Sequence, residues 1–541
     1  MIPEINGRKN YVSNYFEIPS DMTYFGEKAL FDVFGERILK CGLFQNIQIE
    51  AGEEHTSTIE IKNNDSILPD GYRLEIRENN IIIWSSGRKG ACMALTTFYW
   101  MLREGNGVCR CGVIQDEPKF SHRGVLIDSC RHFFPADDVK RMIEQFALRK
   151  INRIHWHLSD DQGYRLESRK FPVLNKEGSW YINEEGTVYG GFYTNEQVAD
   201  IVEYALARGV EIIPEIDIPG HTSALIAAFP ELSCSGMPLQ ITGKVGIFDR
   251  ILCGGKDSVI SFLCELLDEI CEMFPSKYFH IGGDEAPKKE WVQCKECQKR
   301  IQEEGLKDEE ELQAWLSSKI ADHLEEKGKT VICWNEAVKS KRLSENVLIQ
   351  YWDEEEPEHT YCAENIKEKQ KIIYSYSPYF YFDYIHAMVP IRVPWGCKPK
   401  YRSGQLIDER KIMGFEAALW SEAIPDREQM ERMAFPRILA LAERSWSGFS
   451  DYKDFINRCS KELEYLKADG VEFTSLDEAD LSGEMQENAI IQHWKPVIKS
   501  LQEYGMQEYE RMLYHMLEVK LKEICNEKKH GVEDILEKLF G

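Results

Sequence analysis

Hydrophobic and polar positions alternate in short runs through the first 115 residues, with one longer stretch of helical spacing. Alternation predicts strands because successive side chains of a strand point to opposite faces of a sheet. The runs lie at 47–50, 57–62, 72–77 and 81–84, and the helical stretch lies at 87–102. Residues 1–117 are therefore expected to form a small α/β domain.

From residue 118 the pattern changes to short apolar runs separated by amphipathic stretches. Eight runs predict strands, at 124–129, 153–159, 211–216, 278–283, 330–336, 347–352, 371–377 and 414–422. Amphipathic helices are predicted between several of them, at 137–149, 196–208, 258–274 and 309–326. Eight strands with helical crossovers are typical of a (β/α)8 TIM barrel, which is expected over residues 118–450.

The last part of the chain, residues 451–541, is rich in Glu, Lys and Leu at helical spacing. It predicts a helical C-terminal extension packed on the barrel. A chain of 541 residues is too long for one ordinary core. The expected fold class is thus α/β, a TIM barrel with a small α/β domain before it and helices after it.

Charge and cysteine content narrow the possible partners and location. The formal net charge of -25 argues against nucleic acid and anionic membranes as partners. No run of about 18 apolar residues could span a bilayer, and the N-terminus lacks the pattern of a secretory signal. The 16 cysteines are scattered rather than arranged as a disulfide framework. A cytoplasmic protein with reduced thiols is expected.

Polar and aromatic side chains follow the predicted barrel strands at their ends. Chemistry in such barrels sits at the C-terminal ends of the strands. Carboxylates accept hydrogen bonds from sugar hydroxyls, arginine donates them, and tryptophan packs on the C–H faces of sugar rings. The sequence therefore predicts a carbohydrate site, with the strand-end candidates Arg131, Asp160, His221, Asp284, Glu285, Trp334, Trp352, Tyr381, Asp383, Trp420 and Glu422.

Asp284 and Glu285 are adjacent in the sequence. A common retaining glycosidase places two carboxyl groups about 5 Å apart across the scissile bond. Neighbours on extended backbone point to opposite sides. This pair is therefore expected to divide the work rather than grip one bond from both faces.

Three long motifs carry a resemblance to a known family. They are His-Trp-His-Leu-Ser-Asp-Asp-Gln-Gly at 155–163, Glu-Ile-Asp-Ile-Pro-Gly-His-Thr at 215–222 and His-Ile-Gly-Gly-Asp-Glu-Ala-Pro at 280–287. Together they resemble glycoside hydrolase family 20, the β-N-acetylhexosaminidases, across the whole barrel and in the right order. The first domain also resembles the one that precedes the barrel in that family. Tyr164 replaces a Trp that many relatives carry, and segment 388–405, which resembles no family motif, is expected to shape the entrance.

The resemblance implies a role for each candidate in substrate-assisted, retaining catalysis through an oxazolinium intermediate. Glu285 would be the general acid and then the base that activates water. Asp284 would accept a hydrogen bond from the acetamido N–H of the substrate, and Tyr381 would donate one to the acetamido oxygen. His221 and Asp160, ranked above Asp161, would be linked by hydrogen bonds to the acid. The sugar would be held by an apolar box of Trp334, Trp352 and Trp420 and by hydroxyl contacts to Arg131, Asp383 and Glu422.

The expected partner is an oligosaccharide or glycoconjugate with a terminal β-linked GlcNAc or GalNAc, released in an exo fashion. The sequence leaves open which of the two sugars is preferred, and the oligomeric state. No cofactor is expected.

Two other functions stay open from the residues alone. His155, His157, His221 and His280 could hold zinc in a metal-dependent barrel hydrolase. A carbohydrate-binding protein without catalysis is the other alternative. Cys294-x-x-Cys297 also suggests zinc, but no second pair stands at suitable spacing, so no metal is expected there.

Overall fold

The computed structural model describes residues 1–42, 48–183, 185–354, 361–503, 506–524 and 529–540. The N-terminal domain is a seven-stranded sheet in the order β1-β7-β5-β6-β4-β2-β3, with two helices. Its elements are β1 Arg8–Glu17, β2 Asp21–Phe25, α1 Lys28–Lys40, β3 Gln48–Ala51, β4 Ile59–Asn63, β5 Tyr72–Ile76, β6 Ile81–Ser85, α2 Arg88–Glu104 and β7 Val108–Asp116.

The four strand predictions in this domain correspond to β3, β4, β5 and β6, and the helix prediction to α2. Ile47, the first residue of one predicted run, lies outside the described residues. The sequence pattern missed β1, because Phe16 is its one buried side chain and the strand shows no apolar alternation. The apolar stretch of α2, in contrast, is buried along most of its length.

Eight parallel strands close into a barrel in the order β14-β15-β16-β17-β18-β19-β8-β9. All eight predicted barrel strands are present, and the expected TIM barrel is confirmed. The strands are largely buried because helices cover the outside while side chains fill the inside; all seven residues of β8 are buried, among them His122, Arg123 and Asp128. The strands are β8 His122–Asp128, β9 Arg153–His157, β14 Glu211–Glu215, β15 Tyr278–His280, β16 Thr330–Trp334, β17 Leu348–Tyr351, β18 Ile372–Tyr374 and β19 Ile412–Leu419.

Helices surround the barrel, and two small hairpins lie in the segment between β9 and β14. The helices are α3 Ala136–Ala147, α4 Val173–Glu177, α5 Asn195–Ala207, α6 Ser223–Ala228, α7 Asp257–Met273, α8 Lys289–Gln293, α9 Lys295–Glu303, α10 Glu309–Glu326, α11 Tyr361–Asn365, α12 Ser377–Phe380, α13 Arg392–Trp395, α14 Arg427–Ala434 and α15 Arg437–Trp446. The hairpin strands are β10 Ser159–Asp160, β11 Gly163–Tyr164, β12 Trp180–Ile182 and β13 Val188–Gly190.

The C-terminal part is helical, as expected, and packs on the barrel. Leu517 and Leu521 are fully buried and belong to the same apolar cluster as the barrel core. Among the described residues, no helix combines the length and apolarity needed to cross a bilayer. The helices are α16 Tyr452–Ala468, α17 Leu476–Ala479, α18 Gly483–Glu503, α19 Gln507–Ile524 and α20 Lys529–Phe540.

A buried polar cluster joins the N-terminal domain to the barrel, at the face where the barrel strands begin. Asp116, the last residue of β7, accepts hydrogen bonds from Lys150 Nζ at 2.9 Å and from Tyr72 Oη at 2.7 Å. Trp446 Nε1 donates to the same carboxylate at 3.1 Å. The first domain therefore braces the barrel from its N-terminal face.

Candidate active site

A buried carboxylate at the end of β14 organises the centre of the barrel. Glu215 is fully buried, and its Oε1 accepts a hydrogen bond from Trp334 Nε1 at 2.9 Å. His280 Nδ1 lies 2.8 Å from Oε1, and His155 Nε2 lies 3.1 Å from Oε2. His157 also contacts this carboxylate. Four strand-end side chains are thus held in place by one acidic group.

Asp284 and Glu285 follow β15 and meet the same histidine. His221 Nε2 lies 3.4 Å from Glu285 Oε2 and 3.9 Å from Asp284 Oδ2. The other ring nitrogen, Nδ1, lies 3.2 Å from Asp160 Oδ1. His221 therefore lies between Asp160 and the two acids: it is hydrogen-bonded to Asp160, whereas its 3.4 Å approach to Glu285 is longer.

The backbone at Glu285 is not extended, so the sequence argument that placed the two carboxyls on opposite sides is wrong in its geometry. Glu285 has φ +45° and follows two left-handed glycines, Gly282 and Gly283. The chain turns sharply here, and a Cβ at Gly282 would overlap Asp217. His221 is also left-handed, with φ +52°. Such strain in bulky residues clusters at functional sites.

The two carboxyls differ in exposure, and that separates their chemistry. The Asp284 side chain is 14% exposed, whereas that of Glu285 is 33% exposed. Burial raises the pKa of Asp284 to about 6, helped by the negative charge of Glu285 and opposed by His221. Burial and the neighbouring Asp284 hold the pKa of Asp217 well above its usual range. A protonated Asp217 can thus donate a hydrogen bond to an ionised Asp284.

Aromatic side chains form a compact group beside these acids. Trp334 and Trp420 have ring centroids 5.9 Å apart, and Tyr381 lies 6.1 Å from Trp420. Trp352 stacks on Tyr381 at 6.0 Å with an angle of 12° between the planes. Three tryptophans from three strand ends therefore pack in one group with Tyr381.

Arg131 is tied to three carboxylates at the mouth of the barrel. Its guanidinium lies 2.9 Å from Asp160 Oδ2, 3.2 Å from Asp128 Oδ2 and 3.6 Å from Glu422 Oε1. Burial alone would raise the pKa of Asp160, but Arg131 and the histidines His221 and His157 hold it well below its usual range. Asp160 is thus an anion that connects Arg131 to the His221–Glu285 chain.

Asp161 contacts both His221 and the loop that follows it. Its Oδ1 accepts from the backbone N–H of Ser223 at 2.9 Å, at the start of α6. Its Oδ2 lies 3.4 Å from His221 Nδ1. Asp161 therefore positions the loop that carries His221.

Asp383 has an unpaired oxygen and an unexpected cationic neighbour. Its Oδ1 is buried and has no hydrogen-bond partner among the described residues. Burial raises the pKa of Asp383 to about 7, and the charge of Lys520 opposes that shift. Lys520 belongs to α19, and its ammonium lies over the ring of Tyr384. No local motif marks Lys520, so sequence reasoning missed it.

An open cavity of about 490 Å³ adjoins the acids and has the size of a small-molecule site. Glu285, Glu336, Trp352, Asp353 and Arg402 are among its lining residues. Glu336 Oε1 accepts from the backbone N–H of Glu285 at 3.2 Å, and burial raises the pKa of Glu336 to about 7. Arg402 comes from segment 388–405, which was expected to shape the entrance.

The histidines that could have held a catalytic metal have carboxylate partners in the barrel. Glu215 and Glu416 bind His155 from both sides, with Glu416 Oε1 at 2.8 Å from Nδ1. Burial and the positive charge of His155 lower the pKa of His280 to about 4, despite Glu215. This packed network resembles a structural core more than an open metal site.

Known proteins show clear similarity to this chain. Residues 120–449 match the description "Glycosyl hydrolase family 20, catalytic domain". A beta-hexosaminidase of Porphyromonas gingivalis is 35% identical over 455 residues, which cover 79% of this chain and 58% of that protein. The chain thus spans less than two thirds of the length of that relative.

Solved structures agree with the sequence comparison. The beta-N-acetylhexosaminidase of Bacteroides fragilis superposes with a TM-score of 0.76 at 27% identity, over 89% of this chain and 99% of that chain. The exo beta-N-acetylglucosaminidase of Vibrio harveyi, in complex with N-acetylglucosamine, gives 0.75 at 26% identity, over 88% and 78% of the two chains. With the family match over the whole barrel and the strand-end acids and tryptophans in place, this chain belongs to glycosyl hydrolase family 20.

Proposed function

We propose that this chain is an exo-acting, retaining β-N-acetylhexosaminidase that removes terminal β-linked GlcNAc or GalNAc. The proposal rests above all on Asp284 and Glu285, two carboxyls that differ in exposure and lie near one histidine. Beside them is a tyrosine that packs against tryptophans. The more exposed acid faces the open cavity, where a leaving group would lie. The more buried one lies toward the aromatic group, where an acetamido group would fit.

The reaction follows from these positions. Glu285 gives its proton to the glycosidic oxygen as the bond from C1 to that oxygen breaks. The acetamido oxygen of the same sugar bonds to C1, while ionised Asp284 accepts from the acetamido N–H and stabilises the cation. Water, deprotonated by Glu285, then attacks C1 from the face that the leaving group left, and the bond from C1 to the acetamido oxygen breaks. Two inversions give retention of the anomeric configuration.

The sugar ring would be held by the polar side chains at the pocket mouth. Arg131 and Glu422 would contact hydroxyls on one side, and the free oxygen of Asp383 would accept from another. Trp334, Trp352 and Trp420 would enclose the acetamido methyl and the ring face. Tyr381 would donate to the acetamido oxygen.

Turnover of aryl β-GlcNAc, β-GalNAc and β-glucoside, measured side by side, tests the mechanism. We expect activity on the two acetamido sugars. Activity on the glucoside should be less than about one hundredth of that value, because the glucoside has no amide to attack C1. Equal activity on the glucoside would refute neighbouring-group participation. Glu285→Gln should abolish release of unactivated substrates and keep sugar binding, and unchanged turnover in this variant would refute Glu285 as the acid. Sugar binding without turnover in the wild type would support the binding-protein alternative.

A cytoplasmic location is part of the proposal. No disulfide joins the cysteines that the structure describes, and reduced cysteines persist in a reducing compartment. Fractionation of the native source organism, with activity followed by the aryl substrate, checks it.

A further inference from the structure

Four cysteines gather outside the catalytic pocket, on two loops at the C-terminal face of the barrel. Cys234 and Cys253 belong to the segment between β14 and α7, and the bridge between Ser233 and Leu252 brings them together. Cys294 precedes α9, and Cys297 lies in its first turn. The pair Cys294 and Cys297 thus lies next to the pair Cys234 and Cys253. The two pairs are separated by 41 to 63 residues along the chain.

The four sulfurs lie close enough together to bind one metal ion. Cys253 Sγ lies 3.5 Å from Cys297 Sγ and 3.8 Å from Cys294 Sγ, and Cys234 Sγ lies 3.8 Å from Cys297 Sγ. All four lie within 4.8 Å of one another. A zinc ion with four thiolates at about 2.3 Å requires sulfur–sulfur distances of about 3.8 Å. We propose that Cys234, Cys253, Cys294 and Cys297 bind a structural zinc ion.

The backbone around the sulfurs is built for close approach. A Cβ at Gly255 would lie 2.2 Å from the carbonyl carbon of Glu296 and 2.3 Å from the nitrogen of Cys297. Glycine is therefore required where the two loops touch. A backbone hydrogen bond from Gly255 reaches the Cys253 sulfur, the kind of donor that steadies a metal thiolate. Cys253 and Cys297 are buried, whereas Cys234 and Cys294 are partly exposed, which leaves a path for the ion.

The ion would tie together two walls of the substrate cavity. The segment between Cys234 and Cys253 contributes Ile247 to that cavity, and the segment before Cys294 contributes Pro287 and Lys288. The second segment also carries Glu285. Four closed thiolate positions leave no place for substrate or water, so the zinc is structural and takes no part in bond cleavage.

Metal analysis of the full chain, purified without chelator or affinity metal, tests the proposal. About one zinc per chain is expected in the wild type, and less than one tenth of that in the double variant Cys294→Ser/Cys297→Ser. The control is Cys264→Ser/Cys271→Ser, two partly exposed cysteines of α7, which should keep the full zinc content. Zinc-free wild type, equal zinc in the ligand variant, or iron in place of zinc would overturn the proposal.

A second measurement needs no variant and covers the case in which the ligand variant does not fold. Chain produced in cobalt-supplemented medium should show the visible absorption of tetrahedral thiolate-bound Co²⁺. Denaturation with chelator and without reductant should expose all four thiols to a thiol reagent. Thiols that react only after reduction would reveal disulfides and refute the metal site.

The site also changes how a chelator experiment must be interpreted. EDTA is expected to inactivate the enzyme slowly, in step with the loss of folded structure followed by circular dichroism. A catalytic metal would instead be lost with the fold intact, and added zinc would restore activity at once. Activity loss that precedes unfolding would contradict a purely structural role.

Discussion

At the residue scale, burial decides which acid does what. Asp284 and Glu285 have nearly the same side chain and are adjacent, yet one lies deep beside Asp217 and the other borders the cavity. A buried carboxylate is costly unless hydrogen bonds and nearby charges stabilise it. Asp217 and His221 supply these, so Asp284 can stay ionised near neutral pH and serve as an acceptor.

The raised pKa of Asp284 predicts an acid limb in the pH profile. Its carboxylate form accepts the acetamido N–H, so kcat/KM should rise as the pH increases through about 6 and fall as Asp284 becomes protonated below it. Asp284→Asn should lower kcat by about 10²–10³ and remove this limb. The measurement is kcat/KM for an aryl β-GlcNAc, followed from roughly two pH units below the pKa of Asp284 to roughly two above it. A limb that survives in Asp284→Asn belongs to another group.

Asp217 is predicted to act on the reaction through Asp284. In the wild type, the Gly283 N–H donates to Asp217 Oδ1 at 2.9 Å. Asp217→Asn keeps an oxygen that can accept this hydrogen bond and an N–H donor toward Asp284. The kcat of this variant should therefore change less than about threefold. Asp217→Leu removes the donor that lowers the pKa of Asp284, and the acid limb should move up by about one pH unit. A lower kcat with an unmoved limb would mean that Asp217 only supports the fold.

At the scale of elements, helix α19 brings a lysine close to Asp383 from outside the barrel. Lys520 is buried and has no hydrogen-bond partner among the described residues. Burial lowers the pKa of Lys520 to about 7, and Asp383 and Asp353 oppose that shift. The ammonium in turn favours the ionised form of Asp383, the proposed hydroxyl acceptor.

Lys520→Met is therefore expected to weaken sugar binding. Without the cation, Asp383 stays protonated at pH 7 and loses its acceptor role, so KM should rise about tenfold with a smaller change in kcat. The deficit should shrink at higher pH as Asp383 ionises. Lys522→Met on the same helix, whose side chain is 62% exposed, is the matched control. A lower KM in Lys520→Met would show that the lysine obstructs the pocket instead.

At the scale of the whole molecule, the domains are joined by buried charge on the side opposite to the acids. Lys150 and Asp116 are 1% and 0% exposed, and their 2.9 Å contact lies between the first domain and the barrel. Taking away one member of such a pair leaves a buried charge without compensation. A substitution at this position is thus expected to lower the stability of the protein and to leave its activity unchanged.

Asp116→Asn should lower the free energy of unfolding by about 3–5 kcal/mol while kcat of the folded enzyme stays unchanged. Guanidinium unfolding at fixed pH measures the free energy of unfolding, and steady-state kinetics measures kcat. Asp32→Asn, which removes an exposed pair with Lys28, should leave the free energy of unfolding almost unchanged. Equal effects of the two substitutions would contradict an energetic role for the buried contact.

The sequence predicted the barrel well because its signals are local. Each barrel strand contains a short stretch of buried apolar residues, and the residues that follow it come to one face of any such barrel. Asp284, Glu285, Trp334 and Trp420 could be named for that reason. Strand β1 was missed because it is mostly exposed, and an exposed strand imposes no apolar pattern.

What the sequence alone determined was the fold class and the side chains at the strand ends, since both depend on residues close together along the chain. The tertiary structure decided the rest. The left-handed turn at Glu285 set how the two acids share His221. The long path of the chain brought Lys520 to Asp383 and Cys234 to Cys297. Contacts between residues so far apart follow from packing of the whole chain, which no local pattern encodes.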